Sequence, residues 1–264
     1  MAHACWRQLN TRRTEHVLNA DPSVQIRLLE LQGLDTALDR LTYQARTLPV
    51  LAHVTELEAR LNDLRSLIVA GETQVSDLQR EQNKADTDVE QVRERSRRDQ
   101  DRLDSGVVTS PRDLEALQHE IGSLARRQGD LEEVELDVME RLEEAQAHLS
   151  ELVAERTTVL ANLESASAER DESLAALGEE SKGVRTERDV IASEIPDELS
   201  ALYEKLRAQH DGVGAAALYR GRCEGCRLEI SPTEISRIRS AEPDAIVRCE
   251  ECRRILVRTP ESGL

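Results

Sequence analysis

Four cysteines near the C-terminal end carry the most specific chemistry in this chain: Cys223-Glu224-Gly225-Cys226, then 22 residues, then Cys249-Glu250-Glu251-Cys252. Each Cys-x-x-Cys pair can wrap two thiolates around one side of a tetrahedral ion, and two such knuckles close a four-sulfur site. Thiolates suit zinc, and a closed set of four leaves no position for water or substrate, so the expected cofactor is one structural zinc ion. A thioredoxin-like redox pair needs a βαβ context that the flanking sequence lacks. A [2Fe–2S] cluster also takes four cysteines, but with other spacings. A module of about 50 residues with few aromatics cannot build an adequate core alone, so metal binding should supply most of its folding energy.

Around the knuckles lie Arg220, Arg222, Arg227, Arg248, Arg253, Arg254 and Arg258, which could contact phosphates. Two features oppose a nucleic-acid face. Glu224, Glu229, Glu250 and Glu251 are interleaved with the arginines, and Tyr219 is the one aromatic nearby for stacking. From Gly212 to the end, nine Arg stand against eight Asp and Glu, and a tetrathiolate zinc centre is itself negative. A solvated mixed-charge surface is the competing reading of the same residues.

No other constellation supports catalysis. His3, His16, His53, His119, His148 and His210 are scattered without ligand or triad spacing. Walker loop, dinucleotide fingerprint and nucleophile elbow are all missing from the sequence. The expectation is a protein that is not an enzyme. Cys5 has no partner motif and reads as an unpaired thiol.

The elements that must position the knuckles are helical. Phe is absent, charged residues make up 33% of the chain, and Lys is rare beside Arg. This is the composition of long solvated helices or coiled coils. The net charge of −17 sits on the helical part and argues against unspecific attraction to DNA or anionic lipid. No apolar run approaches the roughly 18 residues of a membrane span, and the N-terminus has no signal-peptide core. A cytoplasmic protein without membrane contact is expected.

Residues 1–20 show no usable periodicity and read as a disordered tail. A seam of Leu31, Leu34, Leu38, Leu41, Ala45 and Leu48 then alternates by three and four, as one face of a coiled coil does. Leu48-Pro49 interrupts it as a kink or register shift. The seam resumes at Val54, Leu57, Leu61, Leu64 and Ile68 and runs to Leu103, with Gly71 a weak spot. Asp104 to Pro111 is a turn, with Ser110 placed as N-cap and Pro111 at the first helical position. A second seam runs from Leu114 through Leu124, Val138, Leu152 and Ile191, with Gln128, Glu135 and Arg156 as polar members, until Ile195-Pro196 ends it. Two matched helices joined by a short turn predict an antiparallel hairpin over residues 21–195, with its tip near 104–111. Residues 196–264 form the rest: a short helix with Leu199, Leu202, Tyr203 and Leu206 on one face, then the zinc ribbon. Inside the ribbon, Ser231-Pro232-Thr233-Glu234 is a capping box that predicts a helix near 232–240. The fold class is therefore mainly α: a long antiparallel helical coiled-coil hairpin plus a small C-terminal β zinc ribbon.

Three stretches in order resemble the bacterial C4-type zinc-ribbon proteins that carry a long N-terminal coiled-coil hairpin. They are Leu31-Gln32-Gly33-Leu34-Asp35 with Leu48-Pro49; Ser105-Gly106 and Ser110-Pro111 through Ile121; and Ile195-Pro196, Leu199, Tyr203, the four cysteines and Arg254-Ile255-Leu256. The chain departs from that pattern at Arg253, where the family usually has Gly, and at Val257, where a Tyr is expected. Arg253 must then adopt a turn that Gly would allow without strain. The resemblance implies nucleic-acid binding, or engagement of a protein partner such as a transcription or secretion factor. The leading expectation is a non-enzymatic adaptor whose ribbon binds RNA, DNA or a transcription-related partner, with the coiled coil as a rigid arm. The alternative is a protein–protein chaperone or scaffold that acts through the coiled coil, with zinc purely structural. Oligomeric state is open in either reading.

Overall fold

The structure, a computed structural model, describes residues 18–264. Cys5, Trp6 and the expected tail up to residue 17 lie outside the described residues. The elements follow in the order α1 (Pro22–Arg46), α2 (Pro49–Asp104), α3 (Pro111–Ser193), α4 (Asp197–Gln209), β1 (Ala215–Tyr219), β2 (Arg222–Cys223), α5 (Pro232–Ser240), β3 (Val247–Arg248) and β4 (Ile255–Arg258). Prolines open all three long helices, where their missing N–H would have no partner anyway. Asp21 caps α1 by accepting from the Ser23 N–H at 2.8 Å. The break before Pro49 ends one helix and starts another.

The chain forms two compact units. One is Pro49–Arg170; the other joins the chain up to Leu48 with Asp171–Leu264. In the first, α2 and the leading part of α3 run antiparallel. Arg60 pairs with Glu155 at 2.6 Å and Arg93 with Glu132 at 2.7 Å, so one residue number falls as the other rises. The seams meet as expected: Leu64 and Ile68 pack with Leu152 and Val159, and Leu78 with Leu142 and Ala145. Arg156, expected as a polar member of the seam, is exposed. At the tip, Gly106 takes φ 67°, a left-handed turn that Gly adopts freely.

The second unit is where the ribbon is positioned. Its main core holds Leu28 and Leu31 of α1, Leu199, Tyr203 and Leu206 of α4, and Ala215, Ile255 and Val257 of the sheet. This core draws on residues on both sides of Ile195-Pro196. Leu18 to Ala20, expected to be tail, instead pair with the ribbon: the Ala20 N–H donates to the Asp244 carbonyl at 2.8 Å and the Ile246 N–H to the Leu18 carbonyl at 3.0 Å. The four-stranded sheet has the order β2-β1-β4-β3. β1 and β4 run parallel at its centre, and each carries an antiparallel partner outside it.

Candidate metal centre and its supports

The two knuckles are built alike. β1 turns back into β2, which ends at Cys223; β3 leads to Cys249 and returns through Cys252 into β4. In the first knuckle the Arg227 N–H donates to the Cys223 carbonyl at 2.7 Å, and the Cys223 N–H to Leu228 at 3.0 Å. In the second, the Arg253 N–H donates to Cys249 at 3.0 Å and the Cys249 N–H to Arg254 at 3.0 Å. Arg227 and Arg253 both hold φ at 61°. The turn foreseen at Arg253 is thus present, and its counterpart at Arg227 was not foreseen. Gly225 is needed for a different reason: a Cβ there would stand 2.8 Å from Arg254 Cδ and 3.0 Å from Ala216 Cβ.

These turns bring all four sulfurs within 4.8 Å of one another. Cys223 and Cys252 Sγ are 3.9 Å apart, as are Cys226 and Cys249 Sγ. A zinc–sulfur distance of about 2.3 Å places tetrahedral sulfurs about 3.8 Å apart, whereas a disulfide needs about 2.05 Å. The geometry fits one structural zinc ion held by Cys223, Cys226, Cys249 and Cys252. Burial pushes the Cys223 thiol well above its usual range, and it raises Cys249 likewise. Without metal such thiols keep their protons, so zinc binding releases them. Backbone N–H groups of Gly225 and Cys226 point at Cys223 and favour the thiolate once it forms. Cys252 shifts the other way: burial would raise it, but hydrogen bonds with Arg254, Cys249 and Cys226 together outweigh that.

A second cluster, of a kind the sequence reading missed, fastens this centre to the helices. Asp35 on α1 is only 2% exposed. Its Oδ1 accepts from Arg188 Nε at 2.7 Å and its Oδ2 from the Tyr203 hydroxyl at 2.6 Å. Arg207 Nε lies 3.6 Å from Oδ2, within ion-pair range but too long for a hydrogen bond, while its Nη2 reaches Asp39 at 2.8 Å. Burial and the Asp35 carboxylate push the Tyr203 phenol far up, so it remains a donor. The hydrogen bond that Arg188 donates to Asp35 holds its guanidinium firmly charged.

One turn earlier, Gln32 acts on the ribbon itself. Its Oε1 accepts from the Gly214 N–H at 2.7 Å and its Nε2 donates to the Gly212 carbonyl at 2.9 Å. Gln25 Nε2 donates to Ala20 at 2.9 Å and to Pro243 at 3.2 Å. Gln25, Leu28, Gln32 and Asp35 alternate by three and four, a second buried stripe beside the leucine seam. That spacing was the available signal; polar residues at such positions read as solvated until their partners are known.

The seven arginines fall into two sets. Arg258 donates to the carbonyls of Ala241, Glu242, Pro243 and Ala245, and Arg254 to those of Val213 and His210. Arg222 donates to the Arg227 carbonyl and Arg248 to that of Arg253. The others are Arg220, which lies over the Tyr219 ring at 5.2 Å, Arg227 and Arg253; all three sit at positive φ. Val257, in place of the family's tyrosine, is fully buried in the main core.

Helical arms and a four-thiolate ribbon define a coiled-coil hairpin protein with a C4 zinc ribbon. Residues 31–211 match the CT398-like coiled coil hairpin domain and residues 222–256 the C4-type zinc ribbon domain. The chain belongs to the CT398-like coiled-coil hairpin family. It is 36% identical to an uncharacterized protein of Mycobacterium tuberculosis, over 91% of this chain and 98% of that one. A solved structure from Mycobacterium smegmatis matches with a TM-score of 0.78 at 34% identity, covering 92% of this chain and 100% of that chain. The structure of CT398 from Chlamydia trachomatis matches with a TM-score of 0.68 over 90% of this chain and 98% of that one; at 18% identity this shows the fold alone.

Proposed function

We propose that this protein is a non-enzymatic adaptor whose zinc ribbon receives a protein partner. The observation that carries this is the employment of the arginines. Four of the seven, Arg222, Arg248, Arg254 and Arg258, donate to backbone carbonyls within the same unit, which leaves fewer of their N–H groups to grip phosphates. Beside the first knuckle, Leu228 is 51% exposed, an apolar side chain suited to a protein contact. Zinc shapes this surface and takes no part in chemistry, because four thiolates close its coordination. The coiled coil is the arm that carries the ribbon, and the helical hairpin is a second surface for protein contacts.

A nucleic-acid reading is favoured by Arg220, Arg227 and Arg253, whose guanidiniums make no ion pair among the described residues. The two readings separate by crosslinking. A photoreactive residue at Leu228 in the full chain, activated in the native cell, should give protein adducts that survive nuclease. Adducts abolished by nuclease, or RNA binding that falls steeply with salt, would establish the nucleic-acid reading instead.

A further inference from the structure

The left-handed backbone at Arg253 is strained for a residue with a Cβ and free for Gly. Strain of this kind persists where the surroundings enforce it, and it concentrates at binding sites. Here the surroundings do enforce it. The Arg253 N–H donates to Cys249 at 3.0 Å, and its carbonyl accepts from Arg248 Nε at 2.8 Å. Its guanidinium, by contrast, has no hydrogen bond or ion pair among the described residues.

Arg253 stands on the rim of a cleft of about 660 Å3 in the ribbon-bearing unit. Leu18, Leu202, Ile246 and Val247 contribute apolar side chains to this cleft, and the first three also pack on the main core. Among the described residues its charged lining is lopsided: Arg237, Arg248 and Arg253 against Glu242. Arg237 is already held by Glu234 on its own helix, and Arg248 holds the Arg253 carbonyl. Among the described residues, Arg253 is therefore the lining arginine whose guanidinium has neither a hydrogen bond nor an ion pair. Among the described residues no aromatic side chain lines the cleft, so bases have nothing there to stack on.

We propose that this cleft takes an extended acidic segment of a protein partner, with an apolar side chain on Leu202 and Ile246 and a carboxylate on Arg253. The proposal deepens the protein-adaptor reading and rests on it. It explains why Arg occupies a turn that Gly would fill more easily: the guanidinium is retained for the partner. Stability and binding should then move in opposite directions on substitution, which a purely structural Arg253 would not produce.

The test uses the full zinc-loaded chain and a fluorescein-labelled dodecapeptide of alternating glutamate and leucine, with an oligouridylate of equal length as the rival probe. The peptide should bind, and Arg253→Gly should weaken it at least tenfold while raising the temperature of zinc release by a few degrees. Arg253→Gln, which keeps the strained backbone and loses the charge, should weaken binding equally without that rise. Absence of peptide binding, binding by both variants as tight as by the unmodified chain, or Arg253-dependent binding of the oligouridylate alone would each overturn the proposal. Protein adducts at Leu228 alongside a failed peptide titration would overturn the cleft and leave the adaptor reading standing.

Discussion

Tyr203 donates its hydroxyl to Asp35 Oδ2 across 2.6 Å, joining α4 to α1 through a carboxylate buried beneath Arg188 and Arg207. The same phenol ring packs in the core that holds Ile255 and Val257 of β4. One side chain thus links helix and ribbon both by an ionic hydrogen bond and by apolar burial. Gln32 repeats the connection one turn away by bonding the backbone at Gly214.

Removing one partner of a buried charged cluster costs more than the contact is worth, because the remaining charges stay desolvated. Asp35→Asn should therefore destabilise the ribbon-bearing unit by up to about 3–5 kcal/mol, because Arg188 and Arg207 lose their buried carboxylate and keep only the more exposed Glu204 and Asp39. Tyr203→Phe should cost only about 1.5–3 kcal/mol, since Asp35 retains Arg188. Urea unfolding monitored by zinc release gives both values. Equal costs would show that the cluster does not act through the buried charge. The double variant should cost less than the two singles added, because they share one bond.

The sequence made the zinc ligands and the hairpin legible because each rests on local periodicity. Cysteine spacing defines a knuckle without knowledge of its surroundings, and three-four alternation defines a seam. Ser231 likewise accepts from the Glu234 N–H at 3.3 Å, as its capping box predicted. What stayed hidden depended on contacts far apart in the chain. Asp35 and Tyr203 are 168 residues apart, and Gln32 and Gly214 are 182 apart. No local pattern says that a polar residue on α1 will meet a strand end. Helix breakers such as Pro196 mark where helices stop, but they do not say that Leu31 of α1 and Ile255 of β4 will share one core.

Metal removal should divide the molecule along these lines. The ribbon's own cluster comprises Ala216, Leu218, Ile230, Ile238, Val247, Leu256 and two of the cysteines, too little to fold alone. With a strong chelator, amide NMR signals of residues 215–258 should collapse toward random-coil positions. The far-UV circular dichroism should keep most of its helical amplitude, because Pro49–Arg170 holds its own contacts. A dispersed ribbon spectrum without metal would contradict this.

Gly71 reads as a weak point in the α2 seam, and the geometry shows how far it can be improved. A Cβ at Gly71 would meet Leu149 Cδ1 at 3.3 Å, a tight contact with the far end of a flexible side chain. Alanine gains about 0.8–1.0 kcal/mol of helix propensity over glycine. Leu149 needs to give only a few tenths of an ångström, so Gly71→Ala should stabilise Pro49–Arg170, by up to about 1 kcal/mol. Gly71→Leu adds volume the seam cannot accept and should destabilise it by about 1–3 kcal/mol. Thermal melts followed at 222 nm would report both signs.

Arg258 shows why loss of binding alone cannot assign an arginine to an interface. Its Nη1 donates to the Ala241 carbonyl at 3.2 Å, and its Nη2 to those of Glu242, Pro243 and Ala245 at 2.8, 2.7 and 2.9 Å. These carbonyls belong to the stretch that connects α5 to β3, and Pro243 also accepts from Gln25 of α1. Arg258→Ala removes every one of those donors together, and the carbonyls that water cannot reach lose about 1–3 kcal/mol. Lysine should recover only part of this, because its ammonium cannot span the fork of a guanidinium. Zinc-release melts should therefore rank the unmodified chain above Arg258→Lys and that above Arg258→Ala. Arg227→Ala, which removes a side chain with no ion pair among the described residues, should leave the melt nearly unchanged. If Arg258→Ala instead melts like the unmodified chain, its guanidinium is not needed to hold the connection. Any effect on a partner would then be a direct contact rather than a consequence of a loosened ribbon.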